Sequence, residues 1–257
     1  MAIKKLLLFD LDGTLLTSEK TISKRTLEQV ENSKKKGYLI GVSTSRSEQN
    51  CLEILGQLKP DILISSGGAL VKKDDEYISK AVFSVERTSE LINIAREVCG
   101  EDVEITIDTL TDHYWNYKID PKEVDKSWGG SIWTDFSSFS EEALKMCVEI
   151  FDDKKADELA SRLTDCDAIR FSDGYWYKYT RKGVTKEDAI KIICDSLNIT
   201  LNDIISFGDD YADIGMLKMT GIGVAMGNAI DEVKKIADIV IGSNDEDGIA
   251  DYLTTLE

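Results

Sequence analysis

The chain has 257 residues and a formal net charge of -17 at pH 7, with 48 acidic and 31 basic side chains. This length is enough to bury the core of one large domain or of two linked domains. So negative a protein repels phosphate backbones and anionic lipid, which argues against nucleic-acid and membrane-surface partners. A phosphorylated substrate would need local neutralisation by a cation and a few Lys or Arg side chains.

The apolar stretches and the cysteines indicate the compartment. The first apolar run is too short for a signal peptide or a membrane span, and Asp10 interrupts it. The 5 cysteines are scattered without a Cys-x-x-Cys pair, as in a reduced cytoplasmic protein. The single histidine, His113, excludes any scheme that needs two histidines.

The first third of the chain alternates apolar runs with amphipathic segments. Residues 4–9, 38–42 and 61–64 are continuous apolar runs, and residues 23–36 have helical spacing and end at Gly37. Strands that alternate with helices predict a parallel sheet, and continuous apolar runs fit strands covered on both faces.

The middle of the chain has a different pattern. Strand-like segments and one helix are predicted at 103–108, 112–118, 145–151, 154–163 and 175–180. The 4 tryptophans all lie in this part of the chain: Trp115, Trp128, Trp133 and Trp176. We interpret it as an inserted α+β domain.

The last third returns to the first pattern, with predicted strands at 203–207, 222–226 and 238–241 and helices beginning near Asp213 and Ala229. The predicted fold class is therefore α/β, a doubly wound, Rossmann-like parallel sheet with an inserted α+β cap domain. The predicted domains are a core formed by 1–82 and 184–257 and a cap formed by 83–183.

Polar clusters follow three of the predicted core strands, at 10–14, 43–46 and 208–213. Ligands of open parallel sheets bind beyond the carboxyl ends of the strands, so these clusters should converge. Crowded carboxylates such as Asp10, Asp12 and Asp209 need a compensating cation, and Mg²⁺ suits oxygen ligands shared with a phosphate. One carboxylate can attack phosphorus, and a second can transfer protons.

Four motifs in order carry a resemblance to a known family. Residues 10–15 resemble the first motif of the haloacid dehalogenase superfamily, and residues 42–46 the second motif of its Cof-like branch, with Ser45 where Gly is usual. Residues 183–186 and 208–213 resemble the third and fourth motifs. The segments 224–229 and 244–250 are also similar to that branch.

The resemblance implies roles for individual residues. Asp10 would be the nucleophile and Asp12 the general acid and base. Mg²⁺ would be held by the Asp10 carboxylate, the Asp12 backbone carbonyl and Asp209, with Asp213 as direct or water-mediated support. The phosphoryl oxygens would be bound by Thr44, Lys186 and the backbone amides of Leu11 and Ser45.

Two departures from the branch, and several alternatives, stay open. Ala212 stands where Asn is usual, and Gly67 begins a segment that usually reads Asn-Gly-Ala. Ser43 is a rival for the role of Thr44, and Lys182 for that of Lys186. Arg46 suits either phosphate contact or structural pairing.

Structural roles can also explain the aromatic run of the cap, His113 and Asp210. The alternating aromatic run at 175–179 suits either sheet packing or substrate stacking. His113 is expected to be an ordinary cap residue. Asp210 is expected to be a loop carboxylate without a ligand role.

The predicted function is a Mg²⁺-dependent phosphatase that hydrolyses small phosphomonoesters, such as sugar phosphates, through an aspartyl-phosphate. We expect a monomer or a small homo-oligomer. The alternatives are a phosphomutase with the same intermediate and an inactive metabolite-binding relative. A signalling receiver domain is disfavoured, because receivers are about half this length and carry the acceptor on the third strand.

Overall fold

The computed structural model describes residues 5–74, 76–120, 122–123, 130–172 and 174–256. Lys4, in the first predicted strand, and Trp128, in the predicted cap, lie outside these residues. The described strands are β1 (Leu6–Phe9), β2 (Leu39–Ser43), β3 (Ile62–Ser65), β4 (Leu70–Lys73), β5 (Glu76–Lys80), β6 (Ile105–Asp108), β7 (His113–Trp115), β8 (Ile132–Trp133), β9 (Lys145–Glu149), β10 (Cys166–Arg170), β11 (Trp176–Arg181), β12 (Ile204–Gly208), β13 (Ile222–Ala225) and β14 (Ile239–Val240). The helices are α1 (Lys24–Lys35), α2 (Glu48–Leu55), α3 (Val85–Cys99), α4 (Asp153–Arg162), α5 (Lys186–Leu197), α6 (Ile214–Met219), α7 (Asp231–Ile236) and α8 (Gly248–Thr254).

Eight strands form one sheet in the order β14-β13-β12-β1-β2-β3-β4-β5. The strands from β14 to β3 pair in parallel, whereas β4 and β5 are antiparallel additions at the edge. The predicted α/β fold class is confirmed, but the β4–β5 hairpin was not predicted. Only a short turn, Ser66–Gly68, joins β3 to β4, and so short a connection permits only antiparallel pairing.

Both faces of the central strands of this sheet are buried, as their continuous apolar runs predict. Leu7 and Phe9 of β1 pack in one cluster with residues of α1, α2, α7 and α8. Leu6 and Leu8 pack in another cluster with residues of α5. Each such leucine, taken fully out of water, stabilises the fold by about 1.5–3 kcal/mol.

A second sheet has the strand order β10-β11-β9-β6-β7-β8 and is antiparallel except where β8 pairs with β7. Helices α3 and α4 cover one face, where Leu91, Val148 and Tyr179 belong to a common apolar cluster. The sequence prediction missed α3, which begins where the Ser84 side chain accepts a hydrogen bond from Arg87 N. The boundaries given for the cap, 83–183, stay a prediction.

The other face of the second sheet, called here the open face, bears Lys178, Cys147, Lys145 and Asp108 and rests on the first sheet. Ser66 Oγ donates to Asp108 Oδ2 at 2.9 Å, and Lys145 Nζ donates to Ser45 O at 2.7 Å. Lys145 also pairs with Asp108 at 2.9 Å. These contacts fix the open face over the carboxyl ends of β2 and β3.

No helix in the described part of the chain is long and apolar enough to cross a membrane.

Candidate active site

Asp10, Lys186 and Asp213 meet in a buried row at the carboxyl ends of the central strands. Asp10 directly follows β1, and its backbone N–H donates to Phe207 O at 2.9 Å. Lys186 is the first residue of α5, which is capped by the Thr185 side chain. Lys186 Nζ donates to Asp10 Oδ1 at 2.5 Å and to Asp213 Oδ1 at 2.7 Å. Lys186 is 2% exposed, so its charge acts on these two carboxylates with little screening by water.

Asp209 joins this group from the end of β12. Thr14 Oγ1 donates to Asp209 Oδ1 at 2.7 Å. Asp213 Oδ2 accepts hydrogen bonds from the backbone N–H groups of Asp209 at 3.0 Å and Asp210 at 3.1 Å. Asp213 therefore shapes the loop that presents Asp209.

The three carboxylates form what we call the acid cluster: Asp10, Asp209 and Asp213 offer oxygens that all lie within 4.8 Å of one another. Burial, and then the charges of Asp213 and Asp209, raise the pKa of Asp10 well above its ordinary value in spite of Lys186. Burial and then Asp213 raise the pKa of Asp209 to about 7. One lysine cannot balance three acids, and the all-oxygen donor set fits a hard divalent cation such as Mg²⁺.

Gly13 permits the close approach of Asp209. Its φ of +76° lies in the left-handed region, and a Cβ at this position would lie 2.3 Å from Asp209 Oδ2. Any side chain here would have to push Asp209 away from the acid cluster. The glycine of the Asp-x-Asp-Gly pattern is therefore required sterically, in addition to the chemical roles of the two aspartates.

The Asp12 carboxylate is not part of the acid cluster and faces two cations instead. Arg46 donates to it through Nε at 2.6 Å and Nη2 at 2.7 Å, and Lys20 Nζ donates at 2.9 Å. Burial alone would raise the pKa of Asp12, but the hydrogen bonds and charges of Arg46 and Lys20 lower it overall. The lowered pKa favours the ionised form of Asp12 in this arrangement.

Two asparagines hold the turn that carries these aspartates. Asn228 Nδ2 donates to Gly13 O at 2.7 Å, and Asn244 Nδ2 donates to Leu16 O at 2.8 Å. The asparagines are themselves joined, since Asn244 N donates to Asn228 Oδ1 at 3.0 Å. The resemblance picked out both segments but gave these residues no role, because their partners lie more than 200 positions away in the chain.

The residues predicted to bind phosphate lie at the ends of β1 and β2. Leu11 begins the turn Leu11–Leu15 and is buried. Thr44 is 1% exposed, and its hydroxyl accepts a hydrogen bond from Arg46 N at 3.1 Å. The hydroxyls of Ser45 and of Ser43, the rival of Thr44, are both buried without a hydrogen-bond partner among the described residues.

The family follows from a comparison with known proteins. The model of the haloacid dehalogenase-like hydrolases matches residues 7–253 of the chain. The chain belongs to this family. The recognition of the haloacid dehalogenase superfamily from its motifs is therefore confirmed.

Relatives of this haloacid dehalogenase-like hydrolase include named phosphatases. The 5-amino-6-(5-phospho-D-ribitylamino)uracil phosphatase YcsE of Bacillus subtilis is 28% identical, over 96% of this chain and 93% of the relative. YitU, a second Bacillus subtilis phosphatase of the same name, is 27% identical over 96% of both chains. A solved sugar phosphatase of subclass IIB superposes with a TM-score of 0.85 at 28% identity, over 97% of this chain and 98% of the other. The predicted enzyme class, a phosphoric monoester hydrolase, is confirmed at this level.

The hydrolase structure also bears on the open alternatives. Lys182, the rival of Lys186, is exposed on the surface. Arg46 pairs with Asp12, as the structural reading of that residue requires. Asp210 binds backbone N–H groups of Tyr211 and Ser172.

Tyr177 and Tyr179 of the aromatic run pack under the helices of the second sheet of the hydrolase, and His113 lies beside a buried carboxylate. Tyr179 is buried in the apolar cluster under α3 and α4, with Tyr177 packed against it, while Tyr175 contacts Phe151 at the surface. His113 Nδ1 lies 2.6 Å from Asp108 Oδ1, its partner in register on β6. Burial would raise the pKa of Asp108, yet Lys145 and then His113 hold it well below its usual range.

Proposed function

We propose that this hydrolase is a Mg²⁺-dependent phosphatase that cleaves small phosphomonoesters, such as sugar phosphates, through an aspartyl-phosphate on Asp10. The observation that carries the proposal is the buried row of Asp10, Lys186 and Asp213 beside Asp209. Strongly perturbed acids at the mouth of a parallel sheet are typical of catalytic sites. The named phosphatases among the relatives support the same chemistry.

Asp10, Asp209, Asp213 and the backbone carbonyl of Asp12 would hold the Mg²⁺. When bound, the ion supplies positive charge next to the phosphoryl oxygens. Thr44, Lys186 and the N–H groups of Leu11 and Ser45 would donate to the same oxygens. Such fixed donors stabilise the charge of a transferring phosphoryl group without reorganisation.

In the first step a carboxylate oxygen of Asp10 forms a bond to phosphorus. The bond from phosphorus to the ester oxygen breaks, and its electron pair stays on the leaving oxygen, which takes a proton from Asp12. Lys186 orients the nucleophile, since it holds Asp10 Oδ1. The products of this step are an alcohol and the aspartyl-phosphate.

In the second step water attacks phosphorus, Asp12 takes the proton of that water, and Asp10 is released with inorganic phosphate. Arg46 and Lys20 lower the pKa of Asp12 against the effect of burial, which favours the ionised form that this step needs. The first step needs Asp12 protonated. Esters of poorly acidic alcohols should therefore be cleaved more slowly as the pH rises.

The test is phosphate release from p-nitrophenyl phosphate and a panel of sugar phosphates, with Mg²⁺ or with EDTA. We expect turnover with Mg²⁺ only, and none by the Asp10→Asn variant. Asp210→Asn is the matched control, because Asp210 lies beside the cluster but, among the described residues, its side chain binds backbone N–H groups and no other side chain. Activity in Asp10→Asn would refute the covalent route, and isomerised sugar phosphate without free phosphate would favour a mutase.

We further propose a cytoplasmic monomer or small homo-oligomer. All five cysteines, Cys51, Cys99, Cys147, Cys166 and Cys194, are unpaired, which supports a reducing compartment.

A further inference from the structure

Lys178 is a buried lysine on the open face that has no anionic partner in the described part of the chain. It lies in β11 and is 1% exposed, yet its ammonium makes no hydrogen bond or ion pair with the described residues. Lys145 on the same face is satisfied by Asp108 and Ser45 O. A buried charge without a partner is destabilising, so a cation of this kind marks a candidate binding site.

The ammonium of Lys178 lies against Gly67, in the turn that follows β3. A Cβ on Gly67 would lie 2.6 Å from Lys178 Nζ and 2.8 Å from its Cδ. The backbone N–H of Gly67 donates to Thr44 O at 3.0 Å, so this turn is bonded directly to the proposed phosphate-binding segment. The ammonium of Lys178 thus lies at the edge of the catalytic site. It occupies space that a side chain at position 67 would fill.

The charges around Lys178 are mainly positive. Burial, followed by the charges of Lys186 and Lys145, lowers the pKa of Lys178 to about 8, although Glu187 acts in the opposite direction. The ammonium groups of Lys178 and Lys186 repel each other, so a further anion that binds near Lys178 would offset this repulsion. In a chain of net charge -17, this is a local concentration of buried cations.

The open face continues from Lys178 across β9, β6 and β7. Lys178 pairs in register with Cys147, Cys147 with Thr106, and Thr106 with Trp115. The ring of Trp115 meets that of Trp176 edge to face, with centroids 5.9 Å apart. Trp115 and Trp176, which are half-buried, are the part of this strip that can contact the body of a leaving group, and Lys178 is its charged end.

We propose that Lys178 binds an anionic group of the leaving group, so that the preferred substrates are phosphomonoesters that carry a second acidic group, a carboxylate or another phosphate. The proposal rests on the phosphatase function proposed above and names its substrate class. Gly67 is the residue whose lack of a side chain admits the ammonium.

The test compares kcat/KM within matched pairs of substrates. Phosphoglycerate against glycerol phosphate tests a carboxylate, and a sugar bisphosphate against its monophosphate tests a second phosphate. We expect the wild-type enzyme to prefer the acidic member of at least one pair by roughly tenfold or more, mainly through KM, as one charge-assisted contact allows. Whichever pair shows the preference identifies the acidic group.

Two variants should abolish that preference. Lys178→Met removes the charge at similar length, and Gly67→Asn keeps Lys178 but displaces its ammonium. Lys154→Met, an exposed lysine of α4, is the control and should keep the wild-type ratio. A wild-type enzyme indifferent to the second acidic group, or a Lys178→Met variant that retains the full preference, would overturn the proposal. A failure of the proposed phosphatase function can be told apart from a failure of this proposal, because in the former case even p-nitrophenyl phosphate would not be hydrolysed.

Discussion

The ammonium of Lys186 lies 2.5 Å from Oδ1 of Asp10, although 176 positions separate the two residues along the chain. The same ammonium holds Asp213 at 2.7 Å. Burial alone would lower the pKa of Lys186, but Asp10 and then Asp213 raise it, so the lysine remains charged. It both orients the proposed nucleophile and offsets part of the repulsion within the acid cluster.

Lys186→Met should remove that orientation and the proposed phosphoryl contact together. We expect kcat/KM to fall by roughly 10²–10³, the range seen when one preorganised donor is lost. Breaking the buried pair should also lower the free energy of unfolding by about 3–5 kcal/mol, measured by urea denaturation. Lys182→Met, four residues earlier and exposed, is the control. Wild-type kcat/KM in Lys186→Met would refute its role.

The raised pKa of Asp209 predicts how the metal-free protein responds to pH. Burial and then Asp213 raise this pKa from 3.8 to about 7 in the folded state. Between those values the folded chain binds more protons than the unfolded chain, so its stability should fall as the pH rises from about 4 to about 7. On the proposed function, Mg²⁺ would bind the ionised carboxylates and should remove this loss.

Urea denaturation at a series of pH values, with EDTA or with Mg²⁺, measures this effect. Asp209→Asn cannot ionise, so its stability in EDTA should depend less on pH, and Mg²⁺ should stabilise it less. Equal pH dependence of the wild-type protein and Asp209→Asn in EDTA would show that Asp209 titrates normally.

Gly13→Ala should disable the site through sterics alone. The added Cβ would lie 2.3 Å from Asp209 Oδ2, at a backbone φ of +76°. We expect loss of Mg²⁺-dependent stabilisation in thermal unfolding, together with loss of phosphatase activity. Gly37→Ala carries a similar backbone strain, at φ +93°, with nothing within 4 Å of its Cβ. If Gly13→Ala and Gly37→Ala lost activity equally, backbone strain, and not the contact of the new Cβ with Asp209, would be the cause.

Lys20→Gln should shift the pH profile without disturbing the acid cluster. Lys20 is one of the two cations that lower the pKa of Asp12, and its side chain is 34% exposed. Its loss should move the alkaline limb of kcat/KM for alkyl phosphates to higher pH. The shift should be less than one pH unit, because such a pair contributes about 0.2–1 kcal/mol and one unit corresponds to about 1.4 kcal/mol. An unchanged limb would mean that Asp12 is not the proton donor.

Much of the core could be read from the sequence, because the periodicity of its strands reflects burial on both faces. The runs at 4–9, 38–42 and 203–207 correspond to β1, β2 and β12, and the polar residues that follow them meet as parallel topology requires. Helix α3 also left a signal that the prediction missed. Leu91, Ile92, Ala95 and Val98 have helical spacing after the capping Ser84.

Side-chain partners across the fold could not be read in this way. The bidentate pair of Arg46 with Asp12 spans 34 positions, and the contact of Lys145 with Ser45 O spans 100. Periodicity fixes which face a residue occupies, but the choice of partner depends on how the two sheets are placed against each other. The ammonium of Lys178, unpaired among the residues that the structure describes, is the clearest case, since no local pattern distinguishes it from a surface lysine.

The most direct test of the proposed mechanism is the detection of the phosphorylated protein during turnover. Rapid acid quenching of the Mg²⁺-loaded enzyme with excess substrate, followed by mass spectrometry of its peptides, should reveal one phosphoryl group on Asp10. Asp10→Asn should acquire none. A phosphoryl group on another residue, or steady turnover by Asp10→Asn, would contradict the assignment of Asp10 as the nucleophile.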